Sequence, residues 1–164
     1  MLRLTTFNLA IGNTDAHAKN ISLLRHPDGG AVLAPAYDVA MHLHHPTANR
    51  AFAMDVNGKN AIDSIGAIDL IDEALAWPLP RRRAVSAIGD TLRQLAEALD
   101  SVQTSAYPGV PDQAWEIVRK RIRQLMSGVP AITQPSGAPA RRPGAVEQPR
   151  IPKGKPGGGR YTSR

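Results

Sequence analysis

Three oxygen-bearing side chains near the start of this sequence stand at spacings that suit phosphoryl transfer. Asp15 lies in the run Asn13-Thr14-Asp15-Ala16-His17-Ala18-Lys19-Asn20. Asn20 follows it by five positions, and Asp38, in Pro35-Ala36-Tyr37-Asp38-Val39, follows Asn20 by eighteen. Moving a phosphoryl group from ATP to a hydroxyl asks little covalent chemistry of a protein. It needs a carboxylate that orients the hydroxyl and takes its proton, and it needs Mg²⁺ held against the phosphates. Asp15 is the right type of residue for the first task. The carboxamide oxygen of Asn20 and the carboxylate of Asp38 are hard donors suited to Mg²⁺. Lys19 adds a cation that can neutralise a transferring phosphoryl oxygen.

For these groups to meet, the chain between them must fold back. Ile21 to Leu24 and Ala31 to Leu33 read as short strands, and Pro27-Asp28-Gly29-Gly30 between them reads as a turn, with Pro fixing φ and Gly supplying positive φ. Such a hairpin brings residues 15, 20 and 38 to one end of two paired strands. The D-x-x-x-x-N spacing of Asp15 and Asn20 is that of a kinase catalytic loop, and Asp38 then takes the place of the second Mg²⁺ ligand. Ahead of the loop, residues 3–12 read as the last turns of a buried helix, with Leu4, Phe7 and Ile11 at helical spacing and Gly12 as the stop.

Beyond residue 35 a long loop is expected to about residue 50. Phe52, Met54 and Val56 then alternate with Ala53 and Asp55 as in a half-buried strand, and Asn57-Gly58 turns the chain. The remainder reads as helical. Ile68, Ile71 and Leu75 suggest one face of a helix over about residues 66–76. Pro78 and Pro80 separate it from a longer helix whose stripe is Val85, Ile88, Leu92, Leu95, Leu99 and Val102. After Tyr107-Pro108-Gly109-Val110-Pro111, a last helix carries Trp115, Val118, Ile122 and Leu125 and ends near Gly128. Arg119, Lys120, Arg121 and Arg123 are expected to coat its other faces.

The 164 residues suffice for one modest domain. Cysteine is absent, which excludes disulfides and thiolate zinc sites. No apolar run approaches the roughly 18–20 residues of a membrane span, and no signal-peptide pattern opens the chain, so a soluble, cytoplasmic protein is expected. Residues 1–128 balance 13 basic against 13 acidic side chains, whereas residues 129–164 carry 7 against Glu147 alone, so the net charge of +6 belongs to the tail. The folded part therefore lacks the basic footprint of a nucleic-acid binder. The tail, rich in Pro, Gly and Arg, is expected to be disordered, with weak, salt-sensitive, non-specific nucleic-acid contact as its one foreseeable interaction.

Several residues have plainer readings. His42, His44 and His45 lack the spacing and thiolate company of a zinc site and read as a loop bordering the active site. Trp77 and Trp115 read as core or half-buried anchors. Arg81-Arg82-Arg83 opens a helix against its dipole and reads as a solvated face, a phosphate or acidic-partner patch being the alternative.

The wording of the motifs goes further than their spacing. The stretch from Phe7-Asn8 to Leu24, with Ile-Gly-Asn-Thr-Asp-Ala-His-Ala-Lys-Asn at its centre, resembles the HipA family of serine/threonine protein kinases, the toxins of bacterial toxin–antitoxin pairs. So do Leu33-Ala34-Pro35-Ala36-Tyr37-Asp38-Val39 and Phe52-Ala53-Met54-Asp55-Val56-Asn57-Gly58-Lys59. The resemblance covers about residues 1–126 and is most specific in 7–59. It implies a mainly α (α+β) fold, the C-terminal lobe of a protein-kinase-like structure, with a helical bundle and a small β-hairpin that carries the active-site loops. It implies Asp15 as catalytic base, His17 as an active-site residue near the nucleotide, Tyr37 as a contact to ATP, and Asn20 and Asp38 as Mg²⁺ ligands. The implied substrate is a protein serine or threonine, and the implied partner a DNA-binding antitoxin of the HipB type.

The family's N-terminal lobe, with its phosphate-covering loop, ATP-pairing lysine and adenine hinge, finds no counterpart here, since the resemblance begins at or before Met1. The expectation is a partial C-lobe over residues 1–128, N-terminally truncated and inactive alone, whose missing lobe another chain could supply, followed by the basic tail over 129–164. The alternative is a non-catalytic remnant that serves as an interaction module for an antitoxin or a full-length kinase.

Overall fold

Helix α1 (Leu2–Ile11) buries most of its residues and packs against α-helices later in the chain. The structure is a computed structural model that describes residues 1–131. A helix buried nearly all round needs no strong amphipathic stripe, and α1 meets that description. Leu9, Ala10 and Thr6 are fully buried, and the hydroxyl of Thr6 is satisfied by donating to the Leu2 carbonyl at 2.9 Å. The expected face of Leu4, Phe7 and Ile11 is only partly right: Ile11 is buried, but Leu4 and Phe7 are half-buried at the rim. Helix α1 ends at Gly12, which takes a left-handed conformation with φ 74°.

Two small antiparallel sheets follow. Strands β1 (Leu23–Arg25) and β2 (Ala31–Leu33) pair with Leu23 opposite Leu33 and Leu24 opposite Val32. The first strand begins two residues later than the sequence suggests. The tight turn fixes its register, with the His26 N–H donating to the Gly30 carbonyl at 2.8 Å and Gly29 at φ 86°. Ile21, left outside the strand, lines a cleft instead. Strand β3 (Ala51–Val56) buries Phe52 and Val56, with Met54 half-buried between them. It pairs with β4 (Lys59–Ala61) through Asn57 and Gly58, both at positive φ as a tight hairpin turn requires.

Three further α-helices close the described residues: α2 (Ala67–Ala76), α3 (Arg81–Ser101) and α4 (Asp112–Ser127). Asp69 starts α2 by accepting the Gly66 N–H at 2.9 Å. The buried stripe of α2 is Ala67, Leu70, Ile71 and Ala74. Ile68 and Leu75, expected on that face, are exposed. The three-four spacing starting from Ala67 and Leu70 competes with the one starting from Ile68, and packing against α3 selects the former. On α3 the expected stripe is realised by Val85, Ile88, Leu92 and Leu99, with Leu95 half-buried and Val102 just past the helix end. Helix α1 packs on α3 and α4, and α3 on α4.

On α4 the expectation fails at one position. Arg121, assigned above to a solvated face, is 6% exposed. Its Nε donates to the Leu9 carbonyl at 2.7 Å, one terminal nitrogen donates to the Ile62 carbonyl at 3.3 Å, and the other approaches Asp63 to 3.6 Å. Burial pushes its pKa down, opposed by the nearby carboxylate of Asp63. Arg119 is half-buried, and Lys120 and Arg123 are exposed as expected. Val129 still packs against the core, one residue beyond the expected domain end. The expected disorder of the tail falls, from residue 132 onward, outside the described residues. Among the described residues no helix is long and apolar enough to cross a membrane.

Candidate active site

The loop from Gly12 to Asn20 leaves the C-terminus of α1 and is fastened at several points. Gly12 is required at its start. Beyond its positive φ, a Cβ there would lie 2.8 Å from the Leu43 side chain, which closes over the turn. Asn13, 1% exposed, follows. Its Nδ2 donates to Asn8 Oδ1 at 3.1 Å and to the Asp38 carbonyl at 3.4 Å, while its Oδ1 accepts the Asp15 N–H at 3.3 Å. The Thr14 carbonyl accepts the Ala53 N–H at 3.0 Å, which ties the loop to β3. The Thr14 hydroxyl lies 3.4 Å from His42 Nδ1, so the histidine loop does border this site. Among the described residues no group of three or more His, Cys, Asp or Glu side chains is placed to hold a metal.

Asn20 and Asp38, distant in sequence, meet directly. Asn20 Nδ2 donates to Asp38 Oδ2 at 2.9 Å and to the Asp15 carbonyl at 3.2 Å. Two acceptors on the nitrogen fix the orientation of the amide and turn Oδ1 away from both. Asp38 has φ 54°, a left-handed conformation that Asp tolerates at a cost on the order of 1 kcal/mol. Asn20 Oδ1 and Asp38 Oδ1 accept no hydrogen bond among the described residues. A carboxamide and a carboxylate in direct contact, each with an oxygen left over, are of the donor type that suits Mg²⁺, which binds few protein ligands and keeps several waters or phosphate oxygens.

The remaining sequence-derived residues are placed less uniformly. The Asp15 carboxylate is 65% exposed and lies 3.8 Å from His17 Nε2. His17 lines a narrow cleft together with Asn13, Asn20, Tyr37, Asp38 and Met54, and its Nδ1 is buried without a hydrogen-bond partner among the described residues. The Tyr37 hydroxyl donates to the Lys19 carbonyl at 2.8 Å and lies 2.8 Å from Ser22 Oγ, so it braces the base of the hairpin while the residue as a whole stays 42% exposed. Asp15 and Lys19 are exposed at the edge and do not line the cleft.

Sequence reasoning missed Asn8, Asn13 and Arg121. Asn8 and Asn13 carried a signal in being buried-helix and loop carboxamides five apart. Arg121 carried one in standing three residues after Val118 and four before Leu125, on the apolar stripe itself.

Comparison with known proteins agrees with this architecture. The family described as the HipA-like C-terminal domain matches residues 1–121. Y4mE of Sinorhizobium fredii, a kinase by name, is 33% identical over 104 residues, 61% of this chain and 24% of that protein. The serine/threonine-protein kinase toxin HipA of Shewanella oneidensis is 30% identical over 114 residues, 70% of this chain and 26% of that protein. Among solved structures, the complex of HipA, HipB and operator DNA from Shewanella oneidensis MR-1 matches with a TM-score of 0.60 at 27% identity, covering 77% of this chain and 29% of that one. The chain thus spans about a quarter of the length of the relatives it matches. With a match over residues 1–121, the chain belongs to the HipA-like C-terminal domain family.

Proposed function

We propose that these residues form the Mg²⁺-holding and acceptor-facing part of a HipA-like kinase that transfers the γ-phosphate of ATP to a protein serine or threonine. The observation that carries this reading is the direct contact of Asn20 with Asp38, which gathers a carboxamide and a carboxylate from two motifs on one point. In this reading Asn20 and Asp38 would hold Mg²⁺. The ion, when bound, neutralises charge on the phosphates. Asp15 accepts the proton of the substrate hydroxyl as its oxygen bonds to the γ-phosphorus and the bond to the bridging oxygen of ADP breaks. Lys19, at the edge, would offer a cation to the transferred phosphoryl group, and His17 and Tyr37, which line the cleft, would contact the nucleotide.

Positioning supplies much of the rate of such a step. The chain spans about a quarter of the length of the kinases it matches, so these 164 residues by themselves are proposed to turn over negligibly. A HipB-type antitoxin is the proposed partner, by similarity to the HipA–HipB complex, and the cytoplasm the proposed compartment. The second reading, a non-catalytic module that docks an antitoxin or a full-length kinase, is favoured by the exposed edge position of Asp15 and Lys19. The apolar side chains of Leu23, Leu24, Val32 and Leu33, exposed on the hairpin, favour it too.

The test uses the purified chain, alone and mixed with the product of the neighbouring reading frame, together with labelled ATP. Label that enters protein and is lost in Asp15→Ala supports the kinase reading. Absence of label in both samples, with capture of the antitoxin on the immobilised chain, supports the module.

A further inference from the structure

We infer that Asn13 is a positioning residue that sets Asp15 and Asp38 relative to one another; the inference rests on the reading of the site given above. Asn13 is fully enclosed, and its side chain makes three hydrogen bonds, one to α1, one to the Asp38 backbone and one within its own loop. Asn8 Oδ1, in the last turns of α1, takes one Nδ2 proton at 3.1 Å and supplies a fixed point on the most buried helix of the fold. The Asp38 carbonyl takes the other at 3.4 Å. The Asp15 N–H gives to Oδ1 at 3.3 Å. One planar amide thus ties the backbone of the proposed base to the backbone of a proposed ligand, twenty-three positions further along the chain, and refers both to α1.

Asp38 is where this matters most. Its left-handed backbone is held on both sides, by Asn13 on its carbonyl and by Asn20 on its carboxylate. Without Asn13, the carbonyl is released and the residue can relax toward negative φ, which swings the carboxylate away from Asn20. Asparagine suits the position because it donates twice and accepts once within a single plane. Aspartate would place an acceptor against two acceptors, and leucine of similar size would leave all three partners unpaired.

The experiment compares Asn13→Ala with Asn8→Ala in the full chain. Asn8→Ala removes the tether to α1 but leaves both site contacts of Asn13, so it reports general destabilisation. Two readouts are taken on each: the backbone amide NMR shifts of Asp15, Asp38 and Val39, and Mn²⁺ affinity from the electron paramagnetic resonance signal of the free ion. Asn13→Ala is expected to move those three amides and to weaken Mn²⁺ binding roughly ten-fold, the size typical of losing a residue that orients a metal ligand. Asn8→Ala is expected to lower the melting temperature comparably while moving the three amides and weakening Mn²⁺ binding clearly less than Asn13→Ala does, since both site contacts of Asn13 remain.

Equal effects of the two variants on Mn²⁺ and on the three amides overturn the inference. Asp38→Asn is the control for the site itself. If it leaves Mn²⁺ affinity unchanged, or if the wild-type chain binds no Mn²⁺, the metal reading falls, and the amide shifts alone decide whether Asn13 couples the two motifs. Should Asn13→Ala not fold, Asn13→Ser, too short to reach the Asp38 carbonyl, is read in the same way.

Discussion

Replacing Arg121 by Met should cost this protein a large part of its stability, although the change looks mild on a helix full of arginines. The Arg121 side chain is buried, with charge-assisted hydrogen bonds to the carbonyls of Leu9 and Ile62. Such bonds contribute roughly 1.5–3 kcal/mol each, so two give about 3–6 kcal/mol gross. Part of that is offset, because methionine of similar length removes the cost of burying a guanidinium. The Leu9 carbonyl also keeps a long bond of 3.3 Å from the Gly12 N–H. A net loss of about 2–4 kcal/mol is expected, against a total of roughly 5–15 kcal/mol for a typical domain. Urea unfolding followed by far-UV circular dichroism reads the change as a lower midpoint at constant slope. Arg121→Lys keeps the charge but has no planar fork to reach two carbonyls, and should fall between wild type and Met. A loss below about 0.5 kcal/mol for Arg121→Met, the size of an ordinary surface substitution, would refute the assignment of Arg121 as the tie between α4, α1 and the segment after β4.

Gly12→Ala should destabilise by at least about 1 kcal/mol from its positive φ alone, and further because Leu43 must move; a melting curve at wild-type temperature would contradict this. Asp69→Asn should cost about 1–2 kcal/mol, since Asp69 accepts from Gly66 N–H and from Lys59 Nζ at 2.8 Å, with urea midpoints as the measurement. Burial would raise the Asp69 pKa, but the bonds from Gly66, Lys59 and Asn57 outweigh it and hold it low, and the hydrogen bonds of Arg50 hold Asp63 low. Both groups therefore add stability above the unfolded carboxylate value of about 3.9, and that stability is lost as pH falls through their lower folded values. Midpoints measured across the acid range should show the wild type and Asp69→Asn converging below about pH 4; a constant gap would count against it. Asp15→Ala should leave the melting temperature within about 1 °C, as expected of an exposed side chain with only a 3.8 Å contact, and a larger loss would assign Asp15 a structural role.

The parts of the fold legible in the sequence are those where local chemistry and packing agree. Gly12 is the helix stop because its φ is positive, Asn57-Gly58 turns for the same reason, and Phe52 and Val56 alternate inward because β3 has one buried face. The stripe of α3 has a single apolar solution and was readable. Helix α2 offered two, and only its packing against α3 chose between Ala67-Leu70-Ile71-Ala74 and Ile68-Ile71-Leu75. Charge misled at Arg121, where the residue type suggested solvent while its position on the stripe of Val118 and Leu125 placed it inside. At the site, spacing picked out Asn20 and Asp38, which the fold brings into contact, and Asp15, which stays exposed at the edge. It did not bring out Asn13, whose side chain contacts residues five and twenty-five positions away. Burial of Asn13 is a tertiary property that residue type alone does not announce.

The central claim is that Asn20 and Asp38 share a divalent cation beside Asp15. A crystal of the chain grown with Mn²⁺ and a non-hydrolysable ATP analogue tests it most directly through anomalous scattering. The claim predicts a peak within about 2.0–2.3 Å of Asn20 Oδ1 and of an Asp38 carboxylate oxygen, hard-cation bonding distances, with phosphate oxygens completing the shell. An occupied nucleotide with no metal between those two side chains, or a metal bound elsewhere, would contradict it.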